Sequence, residues 1–179
     1  MHKTKFTISR DTREHPGHGF HFRASKACSG MTVATLRTGD YSIRGLEEVV
    51  CIERKESISE FASNLTQPRF DRELNRMDDY KVAVVLLEFG VEDLLDWPRS
   101  SDLPPSKRKQ VRAKGPFLLK RLAELMAKHP NVQFLFVGNR GQEVALAILK
   151  QAWVDHAPSL PAPVDDSPTL EDFLLAGRP

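Results

Sequence analysis

The chain has little that would hold it in a membrane or suit it to an oxidising compartment. Its longest uninterrupted apolar runs, Val82–Leu87 and Val144–Leu149, fall far short of the ~18 residues that a membrane-spanning helix needs. Met1-His2-Lys3-Thr4-Lys5 carries bases, but no apolar stretch follows them and no secretory signal is visible. The two cysteines, Cys28 and Cys51, stand apart without a CxxC pair, which excludes a disulfide framework. The expected setting is therefore reducing, cytoplasmic or nuclear. No GxGxxG follows a strand, and Gly138-Asn139-Arg140-Gly141 reads as a turn. Internal repeats are absent as well.

An excess of one charge is also lacking, since 26 Lys and Arg face 24 Asp and Glu for a net +2. That total hides an uneven distribution. Asp155, Asp165, Asp166, Glu171 and Asp172 face Arg178 alone, so the segment from Asp155 onward carries −4 and residues 1–154 carry +6. The 179 residues suit one domain with an appendage. The expected division is a folded domain over residues 1–154 and a disordered, acidic, proline-rich tail over residues 155–179. Within the tail, Thr169–Leu175 is a short capped amphipathic pattern, read either as a transient helix or as a docking peptide for a partner.

Strand and helix patterns alternate along the domain. Phe6–Ile8, Met31–Leu36, Tyr41–Ile43, Val49–Lys55, Lys81–Phe89 and Val132–Val137 read as strands. Ser57–Leu65, Phe70–Tyr80, a long helix opening at Pro116, and Glu143–Trp153 read as helices, with one turn at Val91–Leu95. Phe20–Cys28 is ambiguous and could form a short helix, and Trp97–Pro105 reads as a loop. The alternation implies an α/β sandwich.

The chemistry concentrates between Asp40 and Lys55. Asp40 and Glu53 lie about one hairpin apart, so their carboxylates could converge at one end of a sheet. Two convergent carboxylates and water suit Mg²⁺, or the similar Mn²⁺. Lys55 shares the strand face of Glu53 by the period of two, whereas Arg54 points to the opposite face, toward structure or a phosphate contact. Asp11 and Glu14 close the first strand, and Asp11 could supply a third metal-site carboxylate. An acid followed by acid-X-Lys is the constellation of metal-dependent phosphodiester hydrolysis, although a solvated strand end is the commoner role of such charges.

Together, Asp11-Thr12-Arg13-Glu14, Gly39-Asp40-Tyr41 and Glu53-Arg54-Lys55 resemble the nuclease domain of the XPF-type structure-specific endonucleases. The resemblance continues through Arg69–Leu74, Val84–Glu88 and Lys114–Trp153. It implies a restriction-endonuclease-like three-layer sandwich with a central mixed sheet, a divalent metal, and cleavage of branched or flapped DNA. By carry-over Asp40 and Glu53 ligate metal, Lys55 is the catalytic lysine and Asp11 completes the acidic cluster. The family's acid four residues after the lysine is replaced here by Ser59, and Glu60 takes the role if one residue is inserted near Glu56. Helix-hairpin-helix motifs and a helicase segment are not seen, which suggests a stand-alone, phage- or bacterial-like form.

Lys107–Arg121 holds seven bases and no acid. Such a run is ordinarily a solvated face; beside a nuclease site, Lys107, Arg108, Lys109, Arg112 and Lys114 become candidates for DNA-backbone contact, with Arg13, Arg54, Arg69, Arg72 and Arg76. Glu73 is a candidate partner for one of the arginines on its helix. His15, His18 and His21 could suggest zinc, but glycines and a proline among them favour a polar loop. Cys51 is expected in the core. A homodimer is expected to form through Lys114–Trp153. The alternatives to a DNA endonuclease are a weak or inactive DNA-binding scaffold of the same fold and an RNA- or nucleotide-directed phosphodiesterase.

Overall fold

The computed structural model describes residues 5–15 and 17–157. Six strands form one mixed sheet: β1 (Phe6–Asp11), β2 (Cys28–Ala34), β3 (Tyr41–Ile43), β4 (Val50–Lys55), β5 (Val82–Leu87) and β6 (Val132–Phe136). Their spatial order is β2-β1-β3-β4-β5-β6. The β1–β2, β4–β5 and β5–β6 pairs are parallel, whereas β3 runs antiparallel to both β1 and β4. Six helices accompany the sheet: α1 (Ile58–Leu65), α2 (Pro68–Met77), α3 (Val91–Leu95), α4 (Pro105–Gln110), α5 (Gly115–Lys128) and α6 (Gly141–His156).

The period of two on β4 and β5 sorts the core into two layers. Cys51, Val85 and Leu87 meet Phe61 and Leu65 of α1, Phe70, Leu74 and Met77 of α2, and Leu118, Leu122 and Leu125 of α5. Ile52, Val84 and Leu86 face the other way, onto Ala145, Leu149 and Ala152 of α6 and onto Phe20, Phe22 and Tyr41. The result is the expected α/β three-layer sandwich with a restriction-endonuclease-like mixed sheet. Ser57 caps α1, its hydroxyl accepting from the Glu60 N–H at 3.2 Å. Pro68 opens α2, where a missing N–H costs nothing.

Three local expectations change. Phe20–Cys28 forms no helix; Phe20 stacks on Tyr41 at 5.1 Å between centroids and Phe22 meets the same ring edge-on, so the segment lies against the sheet. Helix α4 follows the Ser- and Pro-rich loop, and its Pro-Ser-Lys-Arg-Lys-Gln sequence hides it because it buries no residue and shows no apolar period. Helix α6 continues to His156, past the expected start of the tail at residue 155, while residues 158–179, Thr169–Leu175 among them, lie outside the described residues. Cys51 is buried in the core as expected.

Leu74, fully buried, anchors α2 to the sheet. Leu74→Ala is expected to lower unfolding stability by about 3 kcal/mol in urea titration, and a cost below about 1 kcal/mol would show that this layer repacks freely.

Candidate active site

Asp40 sits where three strands meet. It immediately precedes β3. Its N–H donates to the Ile52 carbonyl of β4 and its carbonyl accepts from the Asp11 N–H of β1, both at 2.8 Å. Gly39 makes this approach feasible. Its φ is +79°, and a Cβ there would lie 2.5 Å from Cys51 Sγ and 3.0 Å from the Ile52 carbonyl oxygen. The Asp40 side chain is then pinned by the Arg54 N–H, which donates to Oδ2 at 2.7 Å.

Glu53 and Lys55 project from the same face of β4 into the cleft beside Asp40, and both are buried. Their ammonium and carboxylate form a direct ion pair. Lys55 Nζ also lies 3.5 Å from Glu60 and 5.4 Å from the centre of the Phe70 ring. The cleft, about 280 Å³, is lined further by Arg13, Asn64 and Gln67, and by Arg69 and Glu73 of α2. Glu60 therefore reaches the site, whereas Ser59 turns away to donate to Asp102 at 2.9 Å.

Burial opposes every charge here. It pushes the Asp40 carboxyl up to about 7, with Glu14 and Glu73 adding repulsion and the Arg54 N–H opposing it. Burial raises Glu53 well above the usual carboxylate value, and the charge of Asp40 adds to the effect. Lys55 shifts the other way: burial works against its charge, but Glu53 foremost, then Glu73, holds it above the ordinary lysine value. At neutral pH Lys55 is an ammonium and not a general base.

Not all of the expected acids gather. Asp11 Oδ1 accepts from the Arg13 N–H at 2.8 Å and from Arg13 Nε at 2.5 Å, and Oδ2 accepts from the Leu36 N–H at 2.7 Å. Asp11 is thus occupied as a turn clamp, is nearly inaccessible, and does not line the cleft. Glu14 faces the opposite side of the sheet, where it accepts from Tyr41 and, at 3.2 Å, pairs with Arg54. Arg54 also pairs with Glu88 at 2.7 Å and lies 5.0 Å from the centre of the Phe20 ring, so it knits the fold at that side.

The bases divide similarly. Arg69 enters the cleft, but Arg72 and Arg76 do not line it. Arg13 lines it while tied to Asp11. Arg108 donates to the Ser101 and Leu103 carbonyls and is structural, whereas Lys107, Lys109, Arg112 and Lys114 are exposed. Glu73 makes no ion pair among the described residues, contrary to its expected pairing with an arginine, and lines the cleft instead. Its signal was the i, i+4 spacing from Arg69, which puts both on one helix face. Asn64 and Gln67 carry no comparable sequence signal.

Among the described residues no three His, Cys, Asp or Glu side chains form a ready metal set, and the His15/His18/His21 loop forms none. Asp40 and Glu53 nevertheless fit a cation that keeps several waters. Both carboxyls are raised by burial, with acidic neighbours adding repulsion, and Asp40 Oδ1 and Glu53 Oε2 accept no hydrogen bond among the described residues.

A mixed sheet enclosed by helices, with acid and acid-X-Lys meeting where β3 and β4 pair, defines a restriction-endonuclease-like nuclease domain. The ERCC4 domain model matches residues 10–146, and the chain belongs to that family as an XPF-type nuclease domain. The structure resembles XPF from Aeropyrum pernix, with a TM-score of 0.53, 19% identity, and coverage of 83% of this chain and 64% of that one. XPF from Aeropyrum pernix in a complex with DNA gives a TM-score of 0.53 at 18% identity, covering 98% and 75%. The chain thus spans about two thirds of the first of these structures. None of the curated proteins matches the chain.

Asp11→Asn separates a clamp from a metal ligand. Burial raises the Asp11 carboxyl, but its hydrogen bonds outweigh that and leave it below 3.8, so its stabilisation is complete above that value and fades as pH falls through the lowered one. The substitution is expected to cost about 2 kcal/mol at neutral pH and to flatten the acid side of the stability profile. Unchanged stability would contradict the clamp.

Proposed function

We propose that the chain is a divalent-metal-dependent DNA endonuclease acting on branched or flapped DNA. The observation that carries this reading is the meeting of Asp40, Glu53 and Lys55 in one cleft, supported by the family and by the likeness to a DNA-bound structure. A Mg²⁺ or Mn²⁺ held by Asp40 and Glu53 would supply a Lewis acid for the phosphoryl oxygen and a water of lowered pKa. Lys55, itself buried, directs its ammonium at the charge that grows on the phosphate. Glu53, Glu60 and Glu73 keep that ammonium charged, and Arg69 and Arg13 offer donors to the flanking phosphates.

The exposed bases of α4 and its sequel are the second part of the proposal. The Ser59–Asp102 hydrogen bond ties the segment before α4 to the first turn of α1, next to Glu60. Lys107, Lys109, Arg112 and Lys114 accordingly serve as backbone contacts beside the cleft, and Arg108 holds their loop. Self-association through Lys114–Trp153 is part of the same proposal, with exposed Leu119 and Met126 of α5 and Phe136 of the edge strand β6 as its apolar candidates. A weak or inactive DNA-binding module of the same fold is the second reading, favoured by the absence of Asp11 and Glu14 from the cleft. The remaining proposals are a folded domain with an acidic tail, and a cytoplasmic or nuclear setting; among the described residues no helix is long and apolar enough to cross a membrane.

End-labelled duplex, single strand, 3′-flap, fork and four-way junction, each with Mg²⁺, Mn²⁺ or EDTA, test the reading. Cutting is expected only with metal and preferentially on branched substrates, with about 100-fold slower cutting by Asp40→Asn, Glu53→Gln and Lys55→Met. Equal cutting by Asp40→Asn would sink the catalytic claim, and binding without cutting on every substrate would favour the inactive module. Replacing Lys107, Lys109, Arg112 and Lys114 with Gln should lower the salt-dependence slope of DNA binding by about 0.9 for each phosphate left without its cation. An unchanged slope returns these residues to a solvated face.

A further inference from the structure

We infer that the hollow between the α1–α2 turn and α5 receives one unpaired nucleobase of the strand in the cleft, stacked on Phe117. The inference rests on the nuclease reading above and names the feature of the substrate that the fold would read. The hollow, about 370 Å³, is lined by Leu65, Thr66, Gln67, Pro68 and Asp71 on one side and by Phe117 and Arg121 on the other. Gln67 lines both this hollow and the catalytic cleft, so the α1–α2 turn is a ridge over which one strand would pass from one to the other.

Phe117, 49% exposed, is the most exposed phenylalanine among the described residues. Arg121, one turn further along α5, is tethered by its Nε–H to the Leu65 carbonyl at 3.3 Å and by Nη1 to Glu124 at 3.0 Å. An open ring, a held guanidinium and the Gln67 amide are what a base face and edge need when no particular sequence is read. The one carboxylate in the hollow is already engaged, since Asp71 pairs with Lys128 at 2.6 Å and lies 3.6 Å from His129. A base pair inside a duplex is covered on both faces by its neighbours, so the occupant along a strand is an unpaired base.

Self-association is the obvious rival for an exposed phenylalanine. Leu119 and Met126, however, lie about 160–180° around α5 from Phe117 at ~100° per residue, on the opposite flank. Phe117 shares its flank with Arg121, and Lys114 precedes it by three residues, which gives an aromatic ring between two bases.

The test uses the full chain, in EDTA, with flapped oligonucleotides carrying 2-aminopurine at successive positions of the single-stranded arm, and with blunt duplex as the control. Quenching is expected at one position near the branch and lost in Phe117→Ala, which binds the flap about tenfold more weakly and duplex unchanged, whereas Phe117→Trp restores both. Equal weakening on flap and duplex would overturn the inference, and so would a smaller sedimenting species for Phe117→Ala with the quench intact. Failure of the wild type to cut in Mg²⁺, with the quench present, removes the nuclease reading and leaves the base site. Normal cutting without a Phe117-dependent quench removes the base site alone.

Discussion

Burying Glu53 and Lys55 side by side on the inner face of β4 is the constraint to which the rest of the site answers. Moving each charge out of water costs several kcal/mol, and a direct ion pair offsets that only when the neighbourhood supplies further partners. For Lys55 those partners come from separate elements, Glu60 from α1 and Glu73 and the Phe70 ring from α2, whereas Asp40, just ahead of β3, repels Glu53. The pair, the cleft and the α1–α2 corner therefore belong together. The acids outnumber the bases close to Asp40 and Glu53, and this excess adds to burial, the larger cause, in raising both carboxyls.

The fold delivers that excess to one place by simple means. Antiparallel pairing of β3 with β4 brings the start of one strand beside the end of the other, and Gly39 removes the Cβ that would keep them apart. Alternation along β4 then splits Glu53 and Lys55 from Arg54. On the far face Arg54 binds Glu14 and Glu88, joining the loop after β1 to the end of β5. A single tripeptide thus serves two layers: two residues face the cleft and the one between them holds the opposite side together.

Much of this was legible in sequence because the chemistry obeys short periods. Strand alternation gave the faces of Glu53, Arg54 and Lys55, apolar runs marked β5 and β6, and Pro116 marked a helix start, whereas α2 opens at Pro68, two residues before its expected start. Asp11 and Glu14 misled because both lie where the chain leaves the sheet and the period of two ends. There the unpaired N–H groups of Arg13 and Leu36 take the Asp11 carboxylate, and buried Arg54 takes Glu14. Helix α4 was hidden because it buries nothing, and Gln67 joined the site through the path of a turn that no periodicity describes. The near-neutral total charge was the least informative quantity, since exposed bases and buried acids fall in different places.

The most direct measurement is a Mn²⁺ titration of the full chain followed by electron paramagnetic resonance, which counts free and bound ions without requiring turnover. The expected result is a Mn²⁺ site that Mg²⁺ displaces, that Asp40→Asn and Glu53→Gln each abolish while the protein stays folded, and that Asp11→Asn retains. Equal binding by the wild type, Asp40→Asn and Glu53→Gln would contradict the assignment of these two carboxylates to a metal.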